Sequence, residues 1–182
     1  TQKAHLMIEA LNAMGVDAMG IGDDDLSLGK EALKEILKKA KFPILSSNIM
    51  DEESGKPLFD RSLIREVNGL RIGLFSLLSP ESFYGEWDPR KKGLMIQNPT
   101  ETAQAIIKEL QPKTDLIILL SHLSYPKDME LAQTVPGIHL IEPRARHPRQ
   151  YRRRQDCRCD AAPFRNGFPR EHHERRTGFP DR

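Results

Sequence analysis

The feature that most constrains this chain is the run DLIILLSH at residues 115–122. Its unbroken aliphatics show neither the alternation of a half-exposed strand nor the spacing of an amphipathic helix. At this length they suit a strand covered on both faces, of the kind found in parallel or mixed sheets flanked by helices. The flanking pattern supplies such helices. From Lys3 to Met14, the apolar residues Met7, Ala10, Leu11 and Met14 recur at helical spacing, and Gly15 follows where a left-handed residue ends a helix. Val16–Gly22 (VDAMGIG) predicts a short strand that stops at Asp23-Asp24-Asp25. GKEALKEILKKAK predicts a second helix carried by Leu33, Ile36, Leu37 and Ala40, and Phe42–Ile49 (FPILSSNI) a second strand.

Between residues 57 and 79, two extended runs flank Asn68-Gly69, the strongest short hairpin signal. Pro80–Pro99 (PESFYGEWDPRKKGLMIQNP) lacks a helical period and reads as a structured surface loop whose aromatics line or cover a pocket. A third helix starts near Thr100 with Ala103, Ile106, Ile107 and Leu110 on one face, and leads into the 115–122 strand. A last helix and strand are expected over Met129–Ile141. The order predicts a layered α/β domain around a partly parallel sheet, with no internal repeat.

Composition divides the chain unevenly. Residues 143–182 hold twelve arginines, no lysine, five acids and no Ile, Leu, Val or Met, whereas residues 1–142 are net acidic. The 143–182 tail has little with which to build a core and is expected to be disordered. Its leading reading is an out-of-frame translation of GC-rich coding sequence, which inspection of the coding DNA would decide. An Arg-rich nucleic-acid arm with Tyr151 and Phe164 for stacking is a weaker reading. So is a zinc site from Cys157, Cys159, His172 and His173, because its spacings are not the usual ones. Both cysteines lie in this tail and leave the redox compartment open. No run of 18 apolar residues exists, so no membrane partner is expected. The chain opens without Met and directly on a helical pattern, so it is expected to lie inside a longer protein.

Ligands of open α/β sheets gather beyond the carboxyl ends of the strands. Two ends carry chemistry: Asp23, Asp24 and Asp25 follow the first strand, and Ser121 and His122 end the 115–122 strand. Adjacent carboxylates repel unless something compensates, and with an imidazole they form a plausible divalent-metal constellation. Helix capping or turn formation by the aspartates, and a hydrogen-bonded loop histidine, are the plainer alternatives.

The strings KAHLMIEALNAMGVDAMGIGDDDLSLG, FPILSSNI, GLRIGLFSLLSPES and DLIILLSHLSYPKDMELAQTVPGIHLI resemble the 5′-nucleotidase branch of the calcineurin-like metallophosphoesterases, over roughly residues 3–142. The resemblance implies a four-layer α/β/β/α domain, incomplete here, and a centre of two divalent ions that activates hydroxide for in-line attack on phosphorus. It implies a nucleotide or other small phosphate ester as substrate, with nucleic acid no partner. By analogy it implies a periplasmic or extracellular setting. The family's Gly-Asn-His-Asp/Glu motif aligns with Gly22-Asp23-Asp24-Asp25, and its Leu-Ser-His motif with Leu120-Ser121-His122. This implies Asp23 and His122 as metal ligands. It sets Asp24 at the catalytic position of the family's histidine, where a carboxylate repels a phosphate instead of donating to it. Asp25 corresponds to the acid that orients that histidine.

The family's opening Asp-x-His strand and bridging Asp are expected upstream of Thr1, and its Gly-x-His-x-His motif is replaced by Glu142-Pro143-Arg144-Ala145-Arg146-His147. The chain is therefore expected to hold its metals incompletely and to turn over phosphate esters negligibly. A non-catalytic binding protein on the same scaffold, or a hydrolase of another ester such as a sulfur ester, are the competing expectations.

Overall fold

The structure, a computed structural model, describes residues 2–143. Apart from Pro143, the readings of the tail, including those for His147, Cys157, Cys159, His172 and His173, lie outside the described residues.

The main sheet has four strands in the order β4-β5-β7-β8. β4 (Ser62–Val67) and β5 (Leu70–Leu78) form the hairpin, with Asn68 (φ 52°) and Gly69 (φ 82°) both left-handed as a two-residue turn of this kind requires. β7 (Leu116–His122) pairs parallel with β5, and β8 (Leu140–Pro143) parallel with β7. Each parallel step needs a crossover. Helices α3 (Pro99–Leu110) and α4 (Tyr125–Thr134) supply them.

Alternation along the strands sorts the two faces of this sheet. Phe75 and Leu77 of β5 and Ile117 and Leu119 of β7 join Ala103, Ile106, Ile107 and Leu110 of α3 and Leu131 of α4 in one core. The opposite face meets the parallel pair β1 (Met19–Gly20) and β2 (Ile44–Leu45). The approach is close: a Cβ on Gly20 would sit 2.9 Å from Ser76 Cβ and 3.4 Å from Leu120 Cβ, so only glycine fits there. Beyond this pair lie α1 (Gln2–Met14) and α2 (Lys30–Leu37). Their Ile8, Leu33, Ile36 and Leu37 form a second core with Ile21, Phe42 and Leu94. The layers thus run helix, strand pair, main sheet, helix, which is an α/β/β/α arrangement.

β4 ends opposite Phe75, which exposes the edge of β5 beyond it. The segment after β2 takes its place. Ser47 N–H donates to the Ser76 carbonyl (3.1 Å), and the fully buried Asn48 side chain accepts from Leu78 N–H (2.9 Å) while donating to the carbonyls of Leu78 (2.8 Å) and Gln97 (3.0 Å).

Three local expectations are corrected. The strands expected over 16–22 and 42–49 pair with each other over only two residues, although Met19 and Ile21 N–H groups extend the contact to the Pro43 and Leu45 carbonyls, and Ile49 belongs to a separate strand. Inside the expected 80–99 loop, β6 (Leu94–Ile96) pairs antiparallel with β3 (Ile49–Asp51), a three-residue match too short to leave a period. The last helix starts at Tyr125, not Met129. Pro126 lies in its first turn, where the missing N–H costs nothing.

Candidate metal centre

The tips of β1 and β7 come from different layers, and Gly22 lets them converge. A Cβ on Gly22 would lie 2.4 Å from His122 Cε1 and 2.8 and 2.9 Å from the two ring nitrogens, so the ring occupies the space a side chain would need. His122 is held through its backbone as well, its carbonyl accepting from Ser79 N–H (3.2 Å). The imidazole reaches Asp23, with Nε2 2.8 Å from Oδ1. Nε2 and Oδ1 share one hydrogen bond, whose proton position follows the imidazole tautomer.

Asp23 is buried, with 6% of its surface exposed, and a carboxylate in that position needs compensation. Its second oxygen receives it from Arg90, whose Nη1 lies 2.8 Å from Oδ2. Arg90 is in turn fixed by Asp88 (Nη2 to Oδ2 2.7 Å, Nε to Oδ1 3.0 Å) and by the Ser82 carbonyl (3.1 Å), with Phe83 5.2 Å beneath the guanidinium. The guanidinium hydrogen bonds hold the Asp88 carboxyl well below the usual carboxylate range, and the same bonds raise Arg90 further above its already high value. Asp88 also caps the turn at Pro89–Lys91 by accepting from Arg90 N–H (3.0 Å).

The other two aspartates behave differently. Asp24 is largely exposed, with 85% of its side chain in solvent and Oδ1 3.9 Å from Arg90 Nη1. Asp25 turns back on the loop and accepts from Gly22 N–H at 2.8 Å. Burial pushes its carboxyl above the ordinary range, partly opposed by that backbone bond and by His122. Ser121, the neighbour of His122, points the other way, donating to the buried Asp128 (2.5 Å) and accepting from Leu123 N–H (3.1 Å), which anchors the start of α4.

Of the sequence-derived site residues, the fold brings Asp23 and His122 into contact and leaves Asp24 at the rim. Arg90 and Asp88 were not foreseen. The signal for Asp88 was present, since Asp before Pro is a turn-capping pattern. Arg90's partner is 67 residues away and left no local trace.

No protein-family model matches the chain. It is 30% identical over 138 residues to the 5′-nucleotidase of Vibrio cholerae, an alignment covering 75% of this chain and 25% of that protein. Curated relatives and solved structures similar to about 75% of this chain are 5′-nucleotidases and calcineurin-like metallophosphoesterases. The solved sulfate thiohydrolase SoxB of Thermus thermophilus superposes with a TM-score of 0.69 at 26% identity, covering 79% of this chain and 26% of that one. The 5′-nucleotidase precursor of the same organism gives 0.66 at 29% identity, covering 75% and 27%. The chain thus spans about a quarter of the length of the relatives it matches.

This family implies divalent metal ions. A carboxylate oxygen and an imidazole nitrogen are suitable donors for such ions, and here they already converge. Among the described residues, however, no group of three or more His, Cys, Asp or Glu side chains is arranged to hold one. Residues 2–143 bring together one carboxylate and one imidazole at this point.

Proposed function

We propose that this chain carries one half of the metal centre of a phosphoesterase acting on nucleotides or related phosphate esters, with Asp23 and His122 as two ligands of one divalent ion. The observation that carries the reading is the 2.8 Å approach of His122 Nε2 to Asp23 Oδ1 at the ends of two strands from separate layers. A bound divalent ion would supply Lewis-acid stabilisation of the phosphoryl oxygens and an activated water. The chain's own residues do the rest of the positioning. Arg90 fixes Asp23 through Oδ2 and leaves Oδ1 facing the imidazole, and Gly22 keeps the backbone clear of the ring. The remaining ligands of two ions would come from sequence outside residues 2–143. Asp24 presents negative charge where a phosphate would approach, so the chain by itself should be nearly inactive.

Two measurements test this. Mn2+ titration followed by NMR should broaden the ring signals of His122 in the wild type and not in Asp23→Ala; equal insensitivity in both overturns the ligand assignment. Hydrolysis of p-nitrophenyl phosphate should not exceed that of an Asp23→Ala, His122→Ala double variant, and measurable excess overturns the inactivity. The Arg90 contact favours a second reading, in which the guanidinium serves as the permanent counter-charge of Asp23 on a metal-free binding scaffold. That reading requires the Mn2+ titration to be silent.

A further inference from the structure

The parallel pair β1–β2 has a second end. Ile44 pairs with Met19, ahead of Gly22 in the chain, so the start of β2 lies at the opposite end of the pair from Asp23. A groove of about 360 Å³ opens there. The last part of α2 makes one wall, with Lys34, Leu37 and, just past the end of the helix, Lys38. Phe42, Pro43 and Ile44 make the floor. The other wall is the Phe59–Asp60 segment, which joins β2 from Leu45 onward: Asp60 bridges Leu45, its carbonyl accepts from Ser46 N–H (2.9 Å), and Phe59 N–H donates to Ser46 Oγ (2.9 Å). Ahead of Leu45 the groove takes the place of that cover.

We propose that this groove binds a small carboxylate with a flat apolar body, its charge on Lys34 and Lys38 and its ring against Ile44 and Phe59. The site is separate from the phosphoesterase reading and does not depend on it. The volume lies in the lower part of the roughly 300–1,000 Å³ range of small-molecule clefts, and the lining is of that kind, apolar with charge at the rims. Two lysines four residues apart on one helix face repel each other unless an anion intervenes. The protein's own carboxylates compensate them poorly. Lys34 stands 3.6 Å from Asp51 because Lys30 takes the same oxygen at 2.8 Å. Lys38 pairs with Glu35, but these side chains are 69% and 70% exposed, and a pair so placed contributes little. Against the two lysines stands Asp60, so the lining carries one net positive charge, which suits a monocarboxylate better than a phosphate dianion. Phe42 and Phe59 favour an aromatic body over an alkyl chain, because ring pairs gain more than their buried area.

The probe is 2-naphthoate, compared with 2-naphthalenemethanol, which keeps the rings and lacks the charge. Each would be titrated into the 15N-labelled full chain and followed by amide NMR. Naphthoate should saturate and shift the amides of Lys38, Ile44 and Asp60, and the alcohol should bind about tenfold more weakly. The Lys34→Gln, Lys38→Gln double variant should bind naphthoate no better than the alcohol, with the alcohol's own affinity unchanged. Asp60→Asn, which removes the opposing charge, should tighten naphthoate about threefold. All three side chains lie at the rims of the groove, and an unchanged amide spectrum elsewhere shows that each variant is folded. Shifts that grow linearly without saturating overturn the site. So does equal affinity for acid and alcohol, or full naphthoate affinity in the lysine double variant. Shifts centred on Leu6 and Met7 of α1, which are 66% and 60% exposed, mean adsorption to bare apolar surface and overturn it as well.

Discussion

Replacing Gly22 by alanine isolates the contact on which the candidate centre depends. Gly22 is not among the glycines with positive φ, so alanine brings no left-handed backbone penalty and the whole effect is steric. The new methyl would lie 2.4 Å from His122 Cε1, more than an ångström inside the ordinary carbon contact of about 3.5–4.0 Å. The two ring nitrogens lie at 2.8 and 2.9 Å from the same point, so rotation within the ring plane gives no relief and the imidazole must swing away as a unit. Overpacking of this kind costs about 1–3 kcal/mol. Loss of the Nε2–Asp23 bond adds about 1 kcal/mol, a small figure because the His122 side chain is 22% exposed and water replaces the partner. The total of about 2–4 kcal/mol corresponds to a fall in Tm of roughly 5–15 °C for a chain of this size. Thermal denaturation followed by circular dichroism gives the fall, and the His122 ring resonances in a long-range 15N–1H NMR spectrum give the displacement. Gly15→Ala is the control, since Gly15 has φ +69° and no atom within 4 Å of where the added methyl would sit, so it loses only the left-handed preference, about 1–2 kcal/mol. If Gly22→Ala melts no lower than Gly15→Ala and the His122 resonances are unmoved, the close approach of β1 and β7 is not as described.

Asp51 offers a pH-dependent test away from the candidate centre. The hydrogen bond from Lys30 (2.8 Å), helped by Ser54, holds its carboxyl below the ordinary range in the folded state. A depressed carboxylate stabilises the fold fully above its unfolded value of about 4 and loses that contribution as pH falls toward the folded value. The difference in urea midpoint between wild type and Asp51→Asn should be constant from pH 7 to about 5 and shrink below about pH 4; a difference that stays level down to about pH 2 refutes the assignment. Asn48→Ala leaves Leu78 N–H and the Leu78 and Gln97 carbonyls without their side-chain partner in a buried site. At about 1–3 kcal/mol for each unsatisfied group, a loss above roughly 3 kcal/mol is expected in urea denaturation, and a loss below about 1 kcal/mol contradicts the role of Asn48 as the substitute edge of β5.

Local signals determined the long elements. The aliphatic run at 116–120, the Asn68-Gly69 turn and the 3.6-residue period of Ala103, Ile106, Ile107 and Leu110 each carry their own instruction, because period and turn chemistry act within a few residues. The aspartates and the histidine at the strand ends were visible for the same reason: a strand that stops on polar residues announces what it presents. That Asp23 and His122 touch, while Asp24 stays at the rim, is a different kind of fact. It depends on the face that each strand turns toward the other layer and on the space left by Gly22, 100 residues from His122 in sequence. Arg90 belongs wholly to this second class. Nothing near it in the chain marks it as Asp23's partner, because the pairing arises only when the turn between β5 and β6 folds over the tip of β1, and a buried carboxylate there needs a cation from wherever the fold can bring one.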